Sequence, residues 1–330
     1  MDKDKLCEKL TEHLEVIKKC SIQTEQGTVL LATVLESRYP YVYPRDSSSA
    51  STLFRQMVEK GLDPNGDAFS ILKGLAKFIA YVQEESGRWG QRYGLNGQNK
   101  AIYIQEDNTA YGAIILANYL LTCYSRQEEP EELEIYLTRI KKAIQYALKH
   151  FYREEIFLFF STTGIHESAI EKGYSIWVNH VYILFFNLIL QLTNKFDLKG
   201  LFDEELSFKC RFCQSVHRRF ILNNRFVRRI TKDGTFDLRP DVTLMSPVYF
   251  QCKEGHCDSC VLDENPDIIN NSVNFMVENL WDSELGMLQR YLPFTEDIET
   301  HIHAGNGPWI QYTAMLAQYY YQTGAVERGD

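Results

Sequence analysis

Positive charge is in short supply in this chain. Thirty-five Lys and Arg stand against 44 Asp and Glu, a formal net charge of −9. A nucleic-acid binder normally needs a basic face, so that class of partner is excluded. The two short basic runs, His217-Arg218-Arg219 and Arg228-Arg229, read as solvated helix and hairpin faces. A long apolar run is also missing. The most apolar stretch, Ile183–Leu190, is shorter than a membrane span and contains Asn187, so a buried helix and no membrane partner are expected. The first residues are charged and lack the apolar core of a secretory signal. The expected compartment is therefore cytoplasmic, with the eight cysteines reduced. Strand-like text is scarce, and no short repeat of fixed period appears, which disfavours tetratricopeptide and armadillo arrays.

Helical periodicity is plentiful. Leu6, Leu10, Leu14 and Ile17 share one face of residues 3–20. Similar runs cover about 47–61, 66–84, 107–125, 131–151, 173–194, 199–220, 264–281 and 306–324. Gly61–Gly66, Pro130, Asn194, Pro240, Pro266 and Gly305–Pro308 carry turn chemistry between them. Short strands are expected at Thr28–Val34 and Ile156–Ser161, and a hairpin pairing Phe226–Thr231 with Thr235–Leu238 around Asp233-Gly234. Consecutive long helices without alternating strands exclude a doubly wound sheet. An all-α layer or toroid of antiparallel helix pairs fits, with its connections converging on one face to build a pocket. The hydrophobic fraction of 45% supplies a normal core.

The connections hold the uncommon residues. Tyr41-Val-Tyr-Pro-Arg-Asp46 sets an Arg and an Asp directly after aromatic residues. A guanidinium donates in a fixed fork and a carboxylate accepts, so one sugar ring with vicinal hydroxyls satisfies both. The competing reading has Asp46 or a following Ser capping the next helix while Arg45 meets a surface carboxylate. Gly87–Gly97 holds Trp89, Arg88, Arg92 and Tyr93, and Gln105-Glu-Asp107 opens a helix. Gly164-Ile-His-Glu-Ser168, Gly173–Trp177, Gln289-Arg290-Tyr291, Glu296-Asp297 and Gly305–Trp309 follow. Aromatic platforms beside charged and amide groups are the chemistry of a sugar site. Cys210, Cys213, Cys252, Cys257 and Cys260, with His256 nearby, have partial zinc-site spacing. Cys210 and Cys213 lie in a helical run, so incidental thiols compete with a site on Cys210, Cys213, Cys257 and Cys260.

In this order, the stretches resemble the glucoamylase-like hydrolases of glycoside hydrolase family fifteen. The likeness runs over about 28–324 through Tyr39…Tyr43-Pro44-Arg45-Asp46, Trp89, Gln105-x-Asp107, Glu167, the run 240–247, Arg290-Tyr291, Glu296-Asp297 and the block 305–320. It implies an (α/α)6 toroid, shared with phosphorylase-kinase regulatory subunits, formed by 1–330 as a single domain. About ten of the twelve helices are expected, with the toroid incomplete at the C-terminus. An apolar flank there would favour a homo-oligomer. The implied activity is inverting, exo-acting release of glucose from short α-glucans of maltose or isomaltose type. No metal or organic cofactor is implied. Arg45 and Asp46 would hold the terminal glucose, Tyr39 would lie near the attacking water, and Trp89 would pack against the sugar. Tyr43, Gln105, Asp107, His166 and Trp309 would belong to the same binding set, and Arg290 would reach across the scissile bond. Glu167 would be the general acid, with Glu171 as its alternative. His166-Glu167-Ser168 replaces the usual Trp-Glu-Glu, which leaves linkage specificity open, and Tyr43 stands where Trp is common. No carboxylate is assigned as general base, since Glu296, Asp297 and Glu299 align with other positions. A non-catalytic glucan-binding or regulatory module on the same toroid is the second reading, and an unrelated helical scaffold the third.

Overall fold

The structure, a computed structural model, describes residues 3–37, 39–165, 171–250, 265, 267–292 and 307–329. By its internal contacts the chain divides into two compact units, 1–150 with 188–206, and 151–187 with 207–330. The first unit contains α1 (Lys3–Lys19), α2 (Pro44–Glu59), α3 (Asp67–Val82), α4 (Asn108–Arg126) and α5 (Leu133–His150). Next, α6 (Ile176–Lys195) starts in the second unit and ends in the first, and the short α7 (Asp203–Ser207) lies in the first but for its last residue. All residues of α4 from Asn108 to Cys123 are buried. A helix that is apolar around most of its circumference has to be enclosed, and α2, α3 and α5 pack around this one.

Glycine permits two close approaches in this unit. Gly27, at φ 131°, ends the turn of the hairpin Ser21–Thr24/Gly27–Leu30. A Cβ there would stand 2.4 Å from the carbonyl oxygen of Gly74 on α3, and a Cβ on Gly74 would stand 2.3 Å from Thr28 Oγ1. Hairpin and helix therefore meet backbone to backbone. The seam between α2 and α4 is polar: Asn118 donates to Ser51 Oγ at 2.9 Å and to Thr52 Oγ1 at 3.1 Å.

The second unit adds α8 (Lys209–Arg219), α9 (Ser246–Tyr249), α10 (Asp267–Leu280), α11 (Ile310–Thr323) and α12 (Val326–Gly329). Its aromatic core centres on Phe159, stacked on Tyr182 at 3.8 Å and edge-on to Phe212 at 5.0 Å. A three-stranded antiparallel sheet places Arg229–Thr231 between Gly173–Ser175 and Phe236–Asp237. Its hairpin turns at Gly234, φ 89°, as the Asp233-Gly234 signal predicts. Among the described residues one helix, Ile176–Lys195, is long and apolar enough to cross a membrane. Most of it is buried within the protein, with Asn179 and His180 fully enclosed.

Three expectations need correction. The helical run 199–220 is broken into α7 and α8. Arg228 and Arg229 are not a solvated face, being 4% and 5% exposed. His217 is buried as well, while Arg218 and Arg219 are exposed. Cys210 and Cys213 do lie on a helix, Cys210 exposed and Cys213 buried. No metal-competent group of three or more His, Cys, Asp or Glu occurs among the described residues. Cys252, His256, Cys257 and Cys260 lie outside them.

Candidate active site

In the first unit the site residues converge on the N-termini of α2 and α4. Tyr43 precedes Pro44 and is extended, φ −105° and ψ 121°, the conformation that a following proline imposes. Pro44 takes the first helical position, where its missing N–H costs nothing. Tyr43 is therefore the N-cap residue, without a side-chain cap bond. Asp46 lies inside the first turn, exposed and close to the positive end of the helix dipole. The capping alternative for Asp46 thus fails.

The tyrosine-rich approach is held by the glycine-rich loop. Val42 and Tyr93 exchange backbone hydrogen bonds of 2.9 Å in both directions. Arg92 donates to Tyr43 Oη at 3.3 Å, and its guanidinium lies 4.7 Å from the Tyr41 ring centre. Tyr39 remains 48% exposed. Arg45 donates from Nη2 to Asp107 Oδ2 at 3.2 Å, its side chain 12% exposed and that of Asp107 fully buried. Asp107 precedes α4, where the helix dipole favours an anion. Arg45 therefore meets a buried carboxylate 62 residues away, not a surface one.

Polar atoms are concentrated around this pair. Gln105 Oε1 accepts from Asn108 at 2.7 Å. Ser47 Oγ, Gln105 Nε2, Asn108 Oδ1 and Thr109 Oγ1 are buried without a hydrogen-bond partner among the described residues. Each such atom carries a penalty of about 1–3 kcal/mol unless water or a small shift satisfies it. Trp89 is the exception within the expected binding set. It is 1% exposed, its Nε1 donates to the Ile79 carbonyl at 2.8 Å, and its ring covers Gly112 of α4. That ring belongs to the core, because its indole N–H and one face are already used.

In the second unit, Arg290 is 7% exposed. It donates from Nη2 to the Ile165 carbonyl, and its guanidinium lies 4.9 Å from the Trp309 ring centre. Its Nε is buried without a partner among the described residues. Trp309 is 38% exposed and immediately precedes α11. His166, Glu167, Glu296, Asp297 and Glu299 lie outside the described residues.

Sequence reading missed a buried ion network around Glu171. Arg228 grips that carboxylate with two parallel bonds, 2.9 and 2.7 Å. It also donates to Asp237 at 2.5 Å and to Asp241 at 2.8 Å. Arg239 adds 2.8 Å to Glu171 and 2.6 Å to Asp237. Arg229 donates to the Glu171 backbone carbonyl and approaches the carboxylate at 3.7 Å. Burial opposes charge on Arg228, but Asp241 and Glu171 outweigh it and hold the guanidinium well above its ordinary pKa. Burial brings Arg229 down to about 10 despite Glu171. Burial also opposes charge on Asp237, yet the Arg239 hydrogen bonds and Arg228 keep it below the usual carboxylate range. The Glu171 carboxylate, named above as the alternative acid, is thus committed to ion pairs with Arg228 and Arg239 and approached by Arg229. Asp241, the acid of the run 240–247, also caps the turn Val242–Met245 by accepting from Thr243 N at 2.8 Å.

No protein-family model matches the sequence, and no curated protein matches it. Solved structures do. A glucoamylase from Saccharomycopsis fibuligera matches with a TM-score of 0.72 at 15% identity, over 98% of this chain and 73% of that one. A glycosidase variant in complex with glucose gives 0.66 at 15% identity, over 100% and 83%. A metal-independent α-mannosidase from Streptococcus pneumoniae, in a non-productive complex with α-1,6-mannobiose, gives 0.62 at 12% identity, over 96% and 83%. The protein therefore has an all-α fold of the glucoamylase-like toroid type. That fold is a glycoside-hydrolase-like one, as the resemblance implies.

Proposed function

We propose that the protein is an inverting, exo-acting glycoside hydrolase that releases glucose from α-glucosides or short α-glucans. The observation that carries this reading is the Arg45–Asp107 pair beside Asp46 and the tyrosines 39–43, on a fold shared with a glycosidase solved with glucose. Asp107 aims the guanidinium, and Arg45 with Asp46 takes the hydroxyls of the terminal glucose. Asp46 is exposed at the surface of the first turn, whereas Asp107 is buried and acts through Arg45.

Glu167 is the general acid in this reading. Its proton passes to the glycosidic oxygen as the bond from that oxygen to C1 breaks. Water attacks C1 from the opposite face and gives its proton to a base that this reading leaves unassigned. The test is glucose release from maltose and isomaltose, with α-1,6-mannobiose alongside. Wild type should release β-glucose first, as seen by proton NMR, and Glu167→Gln should fall by roughly 10²–10⁴-fold. Saturable glucan binding without release would favour a regulatory module instead. Release from mannobiose alone would replace glucoside by mannoside, and no binding of any of the three would sink both readings.

A further inference from the structure

The run Tyr41-Val42-Tyr43 alternates in burial, with Val42 fully enclosed and both tyrosines half-buried, so the two rings share one face. Arg92 lies across that face. Its guanidinium is 4.7 Å from the Tyr41 ring centre, and its Nη1 donates to Tyr43 Oη at 3.3 Å. Its Nε donates to the Lys100 carbonyl at 2.9 Å, which brings a second basic residue alongside. The stem of Lys100 folds back over the loop, where a Cβ on Gly94 would stand 3.9 Å from Lys100 Cε. All of these residues belong to the first unit.

The neighbouring arginines have acids, and these two cations do not. Arg45 is paired with Asp107, and Arg88 with Glu84. Neither Arg92 nor Lys100 has an ion-pair partner among the described residues. Arg92 Nη2 makes no hydrogen bond among them and is not enclosed, so that edge of the fork reaches solvent. Acids outnumber bases in this chain, 44 to 35, so two adjacent cations without an acid stand against the general balance. The Tyr41 ring, the Tyr43 hydroxyl and the Lys100 carbonyl hold the guanidinium in place, so little side-chain freedom is left to lose when it binds a ligand. A fixed guanidinium edge beside an ammonium suits phosphate or carboxylate oxygens better than neutral hydroxyls.

We propose that Arg92 and Lys100 form an anion subsite at the rim of the sugar site, selecting α-glucosides whose terminal glucose carries a negative group at C6. This inference rests on the reading that Arg45 and Asp46 hold that glucose. Tyr43 stands two residues before Arg45, and its hydroxyl holds Arg92, so the subsite adjoins the glucose. C6 is the one carbon outside the glucose ring, and a group on it reaches farther than any ring hydroxyl. A phosphate on O6 and a carboxylate at C6 offer the same anionic oxygens, with the phosphate carrying the larger charge.

Calorimetric titration of the protein with glucose, glucose 6-phosphate, glucuronate and inorganic phosphate tests this, since binding is read without turnover. At a pH of about 7.5, where the phosphate is mostly a dianion, glucose 6-phosphate should bind about 10–100-fold tighter than glucose, the scale of charge-assisted hydrogen bonds. Arg92→Gln should cut that ratio to within about threefold, and Lys100→Gln should lower it in part. Lys199→Gln should keep the wild-type ratio. Lys199 follows the end of α6 that meets the C-terminal end of α4 through Phe196 and Tyr124, away from the N-termini that carry the site. Should Arg92→Gln fail to fold, the exposed Lys100→Gln and the salt dependence of wild type carry the test. Raising NaCl from about 0.05 to 0.5 M should shrink the ratio several-fold. A gain for glucuronate alone would keep the anionic class and assign it to the carboxylate.

Equal affinity of wild type for glucose and both charged sugars would overturn the subsite and leave the glucose reading standing. So would a ratio unchanged in Arg92→Gln and Lys100→Gln, or a loss that weakens glucose and glucose 6-phosphate alike, as a merely structural tie would. Inorganic phosphate binding as tightly as glucose 6-phosphate would make it an anion site unconnected with the sugar, which also overturns the proposal. If none of the sugars binds, the glucose reading fails and the subsite falls with it.

Discussion

At the residue scale, Arg45 and its two neighbouring acids separate stability from binding. Asp107 is fully buried against Arg45, and Asp46 is exposed in the first turn of α2. Removing one partner of a buried pair leaves the other charge uncompensated, at a cost of about 3–5 kcal/mol. Asp107→Ala should therefore lower the urea midpoint strongly. Asp46 is exposed in the first turn of α2, so Asp46→Ala should cost much less than the buried Asp107→Ala, its favourable interaction with the helix dipole being worth about 0.3–1 kcal/mol. If Asp46 grips a glucose hydroxyl, it should instead raise KM for maltose with little change in the urea midpoint. Equal destabilisation by the two substitutions would contradict this division. The sequence made Arg45 and Asp46 conspicuous because they are adjacent. It could not display the Arg45–Asp107 pair, because nothing in local spacing joins positions 62 apart.

At the element scale, the contact between Trp89 and α4 explains both what was legible and what was not. The period of 3.6 marks α4 to within a residue at either end, 107–125 against Asn108–Arg126, because helical periodicity is a local property. Which way Trp89 faces is set by tertiary contact, and a glycine-rich loop with one Trp reads equally well as a platform or as a core plug. Gly112 decides for the core: a Cβ there would lie 2.3 Å from the indole ring. Ala is favoured over Gly within a helix by about 1 kcal/mol, whereas overpacking costs typically 1–3 kcal/mol. The indole is tied through Nε1 to Ile79 and cannot easily swing away, so Gly112→Ala should destabilise by about 1–2 kcal/mol despite its better propensity. Combined with Trp89→Phe, the two changes should be non-additive, with part of the Ala penalty relieved. An additive cycle would mean that Gly112 is small for some other reason. The same limit explains Arg228 and Arg229. Adjacent arginines on a hairpin resemble a solvated face until the three acids they meet are brought in by the fold.

At the scale of the whole molecule, charge acts in two ways that acid can separate. The chain carries −9 at neutral pH, and protonating its carboxylates turns it strongly positive, so general repulsion grows on acidification. The Glu171 network adds a local contribution. Asp237 is held below the usual carboxylate range despite its burial, chiefly by the Arg239 hydrogen bonds and then by Arg228. A depressed folded pKa contributes stability that is present above the unfolded value, near 3.9, and is lost as pH falls through the folded value. Arg239→Gln weakens the leading cause of that depression, so the stability lost between pH 7 and acid should be smaller than in wild type. Lys199→Gln supplies the control. Lys199 is 87% exposed and paired only at the surface with Asp197. It removes the same single positive charge and changes general repulsion equally, but leaves Asp237 alone. Urea unfolding at pH 7 and near pH 3 should show a reduced pH dependence in Arg239→Gln beyond that of Lys199→Gln. Equal pH dependence in the two variants would assign acid sensitivity to net charge, with no separable share for the Asp237–Arg239 contact.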